Sequence, residues 1–229
     1  MKLFWLAIRM QWFEVLECFK VLWRFRSNRT FILSYLQLKM IFLLDSPYKV
    51  SKRYLFKKGE VDLYQYGETP VSLFADIVSE FGVDHSDCVY ELGAGSGFCS
   101  LWLSASLGIQ TTAVELVPVF CSRLEKVRQR NNIDCLNVRN NSYFSEKLQP
   151  ATLLYIYASN LDDLAITELA AKLMQLPVGT RVISVSYSMV DYCQPNTFRV
   201  LKTMSARFPW GEADVFLQVR VADTPMSVD

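Results

Sequence analysis

The chain changes its hydrophobic period along its length. In the first 45 residues, apolar positions recur every three or four residues. Phe4, Trp5, Ile8, Trp12, Val15, Phe19, Leu22 and Trp23 fall on one side of a helical wheel. Lys2, Arg9, Glu14, Glu17, Lys20 and Arg24 fall on the other. This spacing predicts an amphipathic helix with an aromatic apolar face. A second helical run, TFILSYLQLKMIFLL, starts near Thr30 and stops before Ser46-Pro47. A basic stretch, YKVSKRYLFKKG, then leads onward.

From about residue 71 the pattern alternates between helix and strand. VSLFADIVSEFG predicts a helix ending at Gly82. DCVYELG predicts a strand, GFCSLWLSASLG a helix and TTAVELV a second strand. PVFCSRLEKVRQRNN predicts a helix, followed by strands at DCLNVRN and ATLLYIYA. LDDLAITELAAKLMQL predicts a long helix with Asp162 and Asp163 in its first turn. TRVISVSYS and ADVFLQVRV predict two more strands. Such alternation implies an α/β fold, doubly wound around a mainly parallel Rossmann-like sheet. Ligands in such sheets sit outside the carboxyl ends of the strands. The expected division is a basic helical extension over 1–58 and a single domain over 59–229.

Composition narrows the chemistry. The 229 residues, 51% hydrophobic, suffice for a full core. One histidine, His85, speaks against a catalytic triad or a His-rich metal site. The six cysteines show no C-x-x-C spacing, so neither a zinc site nor a disulfide framework is expected, and a reducing cytoplasm is. Charge is uneven: residues 1–58 carry +9 and the remainder −8. A basic arm with an aromatic face suits an anionic membrane surface, at the inner membrane face of the cytoplasm, or a partner. The same face equally suits docking on the domain. The second helical run, at about 15 residues, is short for a bilayer. The opening charges and the lack of a small-residue cleavage site do not fit a signal peptide.

The stretch VYELGAGSGFCS (Val89–Ser100) carries the clearest chemistry. No Lys follows its glycines, so it is not a phosphate loop. Its third glycine, Gly97, comes one residue too early for a dinucleotide fingerprint. The pattern is E-x-G-x-G-x-G. An acidic residue at a strand end, Glu91, repels a pyrophosphate and suits a cationic amino group. Gly93, Ala94, Gly95 and Gly97 would let the backbone approach such a ligand. Glu115 ends the next strand, where a carboxylate can accept hydrogen bonds from both hydroxyls of a ribose. An amino acid at one end and a ribose at the other describe S-adenosylmethionine.

With these residues the chain resembles the class I, seven-strand S-adenosylmethionine-dependent methyltransferases, over roughly residues 64–221. ELGAGSG looks like their first motif and VEL (Val114 to Leu116) like their second. YGETP, Tyr66 to Pro70, resembles the cofactor-covering loop of the non-SET protein-lysine methyltransferases typified by the telomeric-silencing-disruptor histone methylases. FPWGEADVFLQ is similar to their late Trp-containing strand, and PVGTRVISVSY to their segment after the last helix. Tyr157-Ala158 stands where those enzymes carry an Asn pair, with Ser159-Asn160 behind it. Asn140 and Asn141 stand where they carry an acidic residue.

The resemblance implies a seven-strand sheet and a cofactor site of Glu68, Thr69, Glu91, Gly93, Ala94, Gly95, Gly97, Glu115, Leu116, Asn140 and Asn141. Glu68 suits the first turn of the following helix as well. The implied acceptor is a protein lysine amine, with Tyr66, Tyr157, Trp210 and Phe216 lining its passage and Asn160 orienting it. A small molecule, lipid or RNA acceptor, or cofactor binding without activity, stays open. The absent D/N-P-P-Y signature speaks against nucleic acid as a partner, and no metal is expected.

Overall fold

The computed structural model describes residues 2–60, 66–157, 159 and 161–222, with side chains from Trp12 onward. Three helices come first: α1 (Lys2–Arg24), α2 (Arg29–Phe42) and α3 (Pro47–Lys58). The rest alternates: α4 (Val71–Glu80), β1 (Cys88–Leu92), α5 (Phe98–Leu107), β2 (Gln110–Glu115), α6 (Pro118–Arg130), β3 (Leu136–Asn140), β4 (Leu153–Tyr157), α7 (Asp163–Leu173), β5 (Arg181–Val185), β6 (Phe198–Phe208) and β7 (Gly211–Arg220).

The seven strands form one sheet in the order β3-β2-β1-β4-β5-β7-β6. β1 pairs in parallel with both β2 and β4, while β7 runs antiparallel between β5 and β6. This is the doubly wound sheet expected from the alternation, with one antiparallel hairpin at its edge. The strand order reverses between β1 and β4, which opens a crevice at their carboxyl ends. The glycine loop follows β1 there.

Side chains alternate across the sheet, so each strand supplies two cores. Val89, Ala113, Tyr155 and Ile183 face the core shared with α4, α5 and α6. Tyr90, Leu92, Val114, Leu154, Ile156 and Val182 face the one shared with α7. α5 is buried along most of its length, Phe98 to Ser104, because α2 covers its outer side. A helix apolar all round is stable only when enclosed in this way. Phe31, Tyr35, Leu38 and Phe42 of α2 supply the cover. Asn28 caps α2 by accepting a hydrogen bond from Phe31 N (2.9 Å) and donates to Ser106 O of α5 (3.1 Å).

α1 docks along the edge that carries Cys18, Val21 and Leu22, which reach the core together with Phe25 just after the helix, while Glu17 and Arg24 grip α4. Glu17 accepts from both Ser72 N (2.8 Å) and Ser72 Oγ (2.7 Å), while Arg24 donates to Ser72 O (3.0 Å) and Asp76 (2.6 Å). Trp12, Leu16, Phe19 and Trp23 are left outside, Phe19 at 67% and Trp23 at 73% exposure. Docking and an exposed aromatic face, set against each other on the helical wheel, therefore coexist. No helix among the described residues is long and apolar enough to cross a membrane.

Two elements differ from the sequence expectation. The basic stretch after Ser46 is a helix, α3, begun by Pro47 at its first turn and ended by Gly59 in the left-handed region. β6 had no counterpart. As the edge strand it exposes most positions, so it lacks the alternation that marks a half-buried strand.

Candidate functional site

The site is built at the crevice between β1 and β4. β1 delivers Glu91 there, buried at 6% exposure. Its carboxylate accepts hydrogen bonds from Ser100 N (2.9 Å) and Ser100 Oγ (2.5 Å), tying the strand to the first turn of α5. Burial pushes the Glu91 carboxyl up from its ordinary 4.5 to about 8, and the neighbouring carboxylates of Glu68 and Glu115 add to the effect.

The glycine loop is held by its own surroundings. Gly93 N and Ala94 N donate to Val114 O (2.9 and 3.0 Å), and Gly97 N to Ala94 O (2.8 Å). Gly95 N donates to Glu115 Oε2 (2.8 Å), while Val117 N reaches Glu115 Oε1 (2.7 Å). Leu116 N–H also reaches the carboxylate, which keeps acceptor capacity for a ligand hydroxyl. Gly97 has φ +84°, and a Cβ there would lie 2.4 Å from Leu124. The left-handed backbone and the packing of α6 both favour glycine at this position.

The Tyr66–Thr69 segment folds over this loop. Tyr66 OH donates to Glu68, and Ser96 donates to Glu68 through Oγ and to Tyr66 OH through its backbone N (3.1 Å). Thr69 Oγ1 lies 2.5 Å from Tyr155 OH, and Thr69 O accepts from Cys99 Sγ (3.4 Å). The acid at the α4 N-terminus is Glu17 from α1, so the capping role allowed for Glu68 falls to another residue. Gly67 is pressed against Tyr157: a Cβ there would stand 2.7 Å from the ring.

Two cavities lie at this segment and share Tyr48, Gly67, Glu68, Tyr157 and Pro209 in their walls. The inner one is bordered by Glu68, Thr69, Glu91, Gly93 and Ala94, and also by Phe13, Glu14 and Glu17 of α1 and Tyr35 and Lys39 of α2. The outer one is walled by Tyr48, Tyr66, Tyr157, Pro209 and Trp210, with Glu68 and Ser159. Trp210, half exposed, donates through Nε1 to Tyr157 OH (2.5 Å) and stacks on Phe208 at 5.4 Å. Tyr66 packs against Tyr48 (5.2 Å) and Phe120 (5.3 Å). Burial raises the Tyr66 and Tyr157 hydroxyls above their ordinary value, so both are neutral near neutral pH.

Some expected residues lie elsewhere. Phe216, in β7, borders neither cavity. Neither do Gly95, Gly97, Glu115, Leu116, Asn140 and Asn141. Asn140 Nδ2 donates to Glu115 O and Leu116 O (both 3.0 Å), and Asn141 Nδ2 to Glu146 (2.7 Å). These bonds fix the carboxyl ends of β2 and β3 on which Glu115 and the exposed Leu116 stand. Asn160 and Ala158 lie outside the described residues. Sequence reasoning missed Glu14, Glu17, Lys39, Tyr48 and Tyr155. Of these, only Tyr155 carried a signal, as a polar group inside an apolar strand. No metal-holding cluster of acidic, His and Cys side chains occurs among the described residues.

No protein-family model matches the sequence, and no curated protein is similar to it in sequence. Solved structures are similar in fold. An RNA methyltransferase from Salinibacter ruber in complex with S-adenosyl-L-homocysteine is 21% identical, with a TM-score of 0.58 over 71% of this chain and 99% of that one. The putative methyltransferase yhhF from Escherichia coli is 15% identical, with a TM-score of 0.54 over 66% of this chain and 88% of that one. A point mutant of MtNAS in complex with S-adenosylmethionine is 14% identical, with a TM-score of 0.54 over 85% of this chain and 76% of that one. The 85% of this chain covered there exceeds the 59–229 segment and so takes in part of the N-terminal helices. The chain has the α/β Rossmann-like methyltransferase fold.

Proposed function

We propose that the chain is an S-adenosylmethionine-dependent methyltransferase whose acceptor is a lysine amine on a protein. The observation that carries this reading is the wall that the two cavities share, Tyr48, Gly67, Glu68, Tyr157 and Pro209. The inner one offers Glu91 to a cationic amino group beside the glycine loop, and the outer one adjoins that shared wall with Tyr66 and Trp210. Glu115 is the group for a ribose, and Tyr66, Gly67, Glu68 and Thr69 cover the loop.

When bound, the cofactor supplies an electrophilic sulfonium methyl. The residues of the chain have the remaining tasks. Tyr48, Tyr66, Tyr157 and Trp210 exclude water from the passage and disfavour the charged form of an entering lysine, whose free pKa is about 10.4. Glu68 attracts the cationic side chain inward. Alignment and desolvation suffice for much of the rate, because the leaving group is good.

An RNA acceptor is the second reading, drawn from the Salinibacter ruber protein. The outer cavity carries Glu68 as its one charged side chain, and the inner one Glu14, Glu17, Glu68 and Glu91 against one Lys39, a balance that favours a cationic acceptor over a phosphate backbone. Residues 1–45 are proposed to rest on an anionic membrane at its cytoplasmic face, through Trp12, Leu16, Phe19 and Trp23. Support comes from their exposure and from the +9 charge of residues 1–58.

The test is methyl-tritiated S-adenosylmethionine added with the protein to a cell lysate, followed by separation of protein, lipid and RNA. Label on protein, resolved by mass spectrometry as +14 Da steps on lysine, is expected. Label confined to RNA, lipid or small molecules would move the acceptor to those classes.

A further inference from the structure

The inner cavity is bordered by four carboxylates and one cation. Glu14, Glu17, Glu68 and Glu91 are the acids, and Lys39 of α2 is the cation. Lys39 Nζ lies 5.0 Å from the centroid of the Phe98 ring and 5.9 Å from that of Tyr35. None of the ion pairs among the described residues involves it. It is a charge stacked on aromatic faces at the start of α5, with its donors turned to no carboxylate.

An amino-acid ligand brings both an ammonium and a carboxylate. The ammonium has Glu91. The carboxylate would ordinarily find backbone N–H groups in a glycine loop, but here those donors are taken. Gly93 and Ala94 give theirs to Val114 O, Gly95 to Glu115, Ser96 to Tyr66 and Gly97 to Ala94 O. The Ser72 N–H in the first turn of α4 is held by Glu17, and the Ser100 N–H of α5 by Glu91. An anion entering beside Glu14, Glu17 and Glu68, with the loop donors from Gly93 to Gly97 taken, gains from a cation that offsets the repulsion.

We propose that Lys39 binds the carboxylate of the methionine moiety, so that the N-terminal helical layer completes the cofactor site. The inference rests on the cofactor reading above. It assigns the ligand's charges in pairs: ammonium to Glu91 and carboxylate to Lys39. The sulfonium is left to the aromatic rings of Tyr66 and Tyr157.

The test is calorimetric titration of the full chain with S-adenosylhomocysteine and with 5′-methylthioadenosine, which lacks both charged groups of the amino acid. Lys39→Met keeps the apolar stem and removes the charge. It should weaken S-adenosylhomocysteine about tenfold or more, the effect of losing a charge-assisted hydrogen bond. 5′-Methylthioadenosine should bind as it does to the wild type, which also shows that the variant is folded. Lys39→Arg should retain most of the affinity. Unchanged binding of S-adenosylhomocysteine by Lys39→Met, or an equal loss for both ligands, overturns the proposal and leaves the cofactor reading standing. Wild-type protein that binds neither ligand overturns the cofactor reading, and the role of Lys39 with it.

Discussion

Replacing Glu91 by Gln should stabilise the ligand-free protein at high pH and nearly leave it alone at low pH. Burial raises the Glu91 carboxyl from 4.5 to about 8. Its folded-state pKa thus lies above its unfolded value. The native state holds a proton that the unfolded chain releases, so stability is fully present below about pH 4.5 and is lost as pH rises through 8. Each pH unit across that window is worth about 1.4 kcal/mol, which puts the loss on the order of 5 kcal/mol by pH 9. Gln stays neutral, and its amide oxygen can still accept from Ser100. Thermal melts at pH 5 and pH 9 read the difference. The variant should melt about 10 °C or more above the wild type at pH 9 and within a few degrees of it at pH 5, at roughly 2–4 °C per kcal/mol for this size. The same carboxyl must ionise to hold a ligand ammonium. At pH 7, binding of S-adenosylhomocysteine should therefore release close to one proton in the wild type and none in Glu91→Gln. Calorimetry in two buffers of different ionisation heat measures that number. Equal stability differences at both pH values, or a variant that melts lower at pH 9, would refute the reasoning.

Other outcomes follow from the two cavities and the arm. Trp210→Ala should lower turnover far more than it weakens S-adenosylhomocysteine, since Trp210 borders only the outer cavity; lost cofactor affinity with unchanged turnover would remove it from the passage. Methylation of a lysine acceptor should rise with pH from about 7 toward 9 as the amine loses its proton, and a flat rate profile would argue against an amine. Co-sedimentation with anionic liposomes should fall sharply when Trp12, Phe19 and Trp23 are changed to Ser together, with added salt weakening the wild type as well. Equal pelleting of both proteins would end the membrane proposal.

The alternating elements and the glycine loop were legible because each is local. Glu91, the three loop glycines and Glu115 stand within one β-loop-α-β unit, where spacing along the chain fixes position in space. What the sequence hid is supplied across long separations. Glu17 meets Ser72 55 residues away, and Lys39 borders a cavity made mainly by residues after 66. No period or motif links such positions. The side on which α1 docks was also hidden. An amphipathic helix ordinarily buries its apolar face, yet here that face is split: Leu22 packs in the core beside Val21, Glu17 and Arg24 have partners on α4, and Trp12, Phe19 and Trp23 stay exposed. Gly97 was expected to serve ligand approach and helix packing, and the partner that takes the space of its missing side chain, Leu124 of α6, is 27 residues away, where no local spacing points to it.

The central claim is that the loop after β1 and the acid ending β2 hold the adenosyl cofactor. Its most direct measurement is calorimetric titration of S-adenosylhomocysteine into the wild-type chain and into Glu115→Ala. One equivalent should bind to the wild type, and the variant should bind it more weakly by about 1–3 kcal/mol, the cost of stranding buried polar partners. No heat with the wild type, or equal affinity in the variant, would contradict the account.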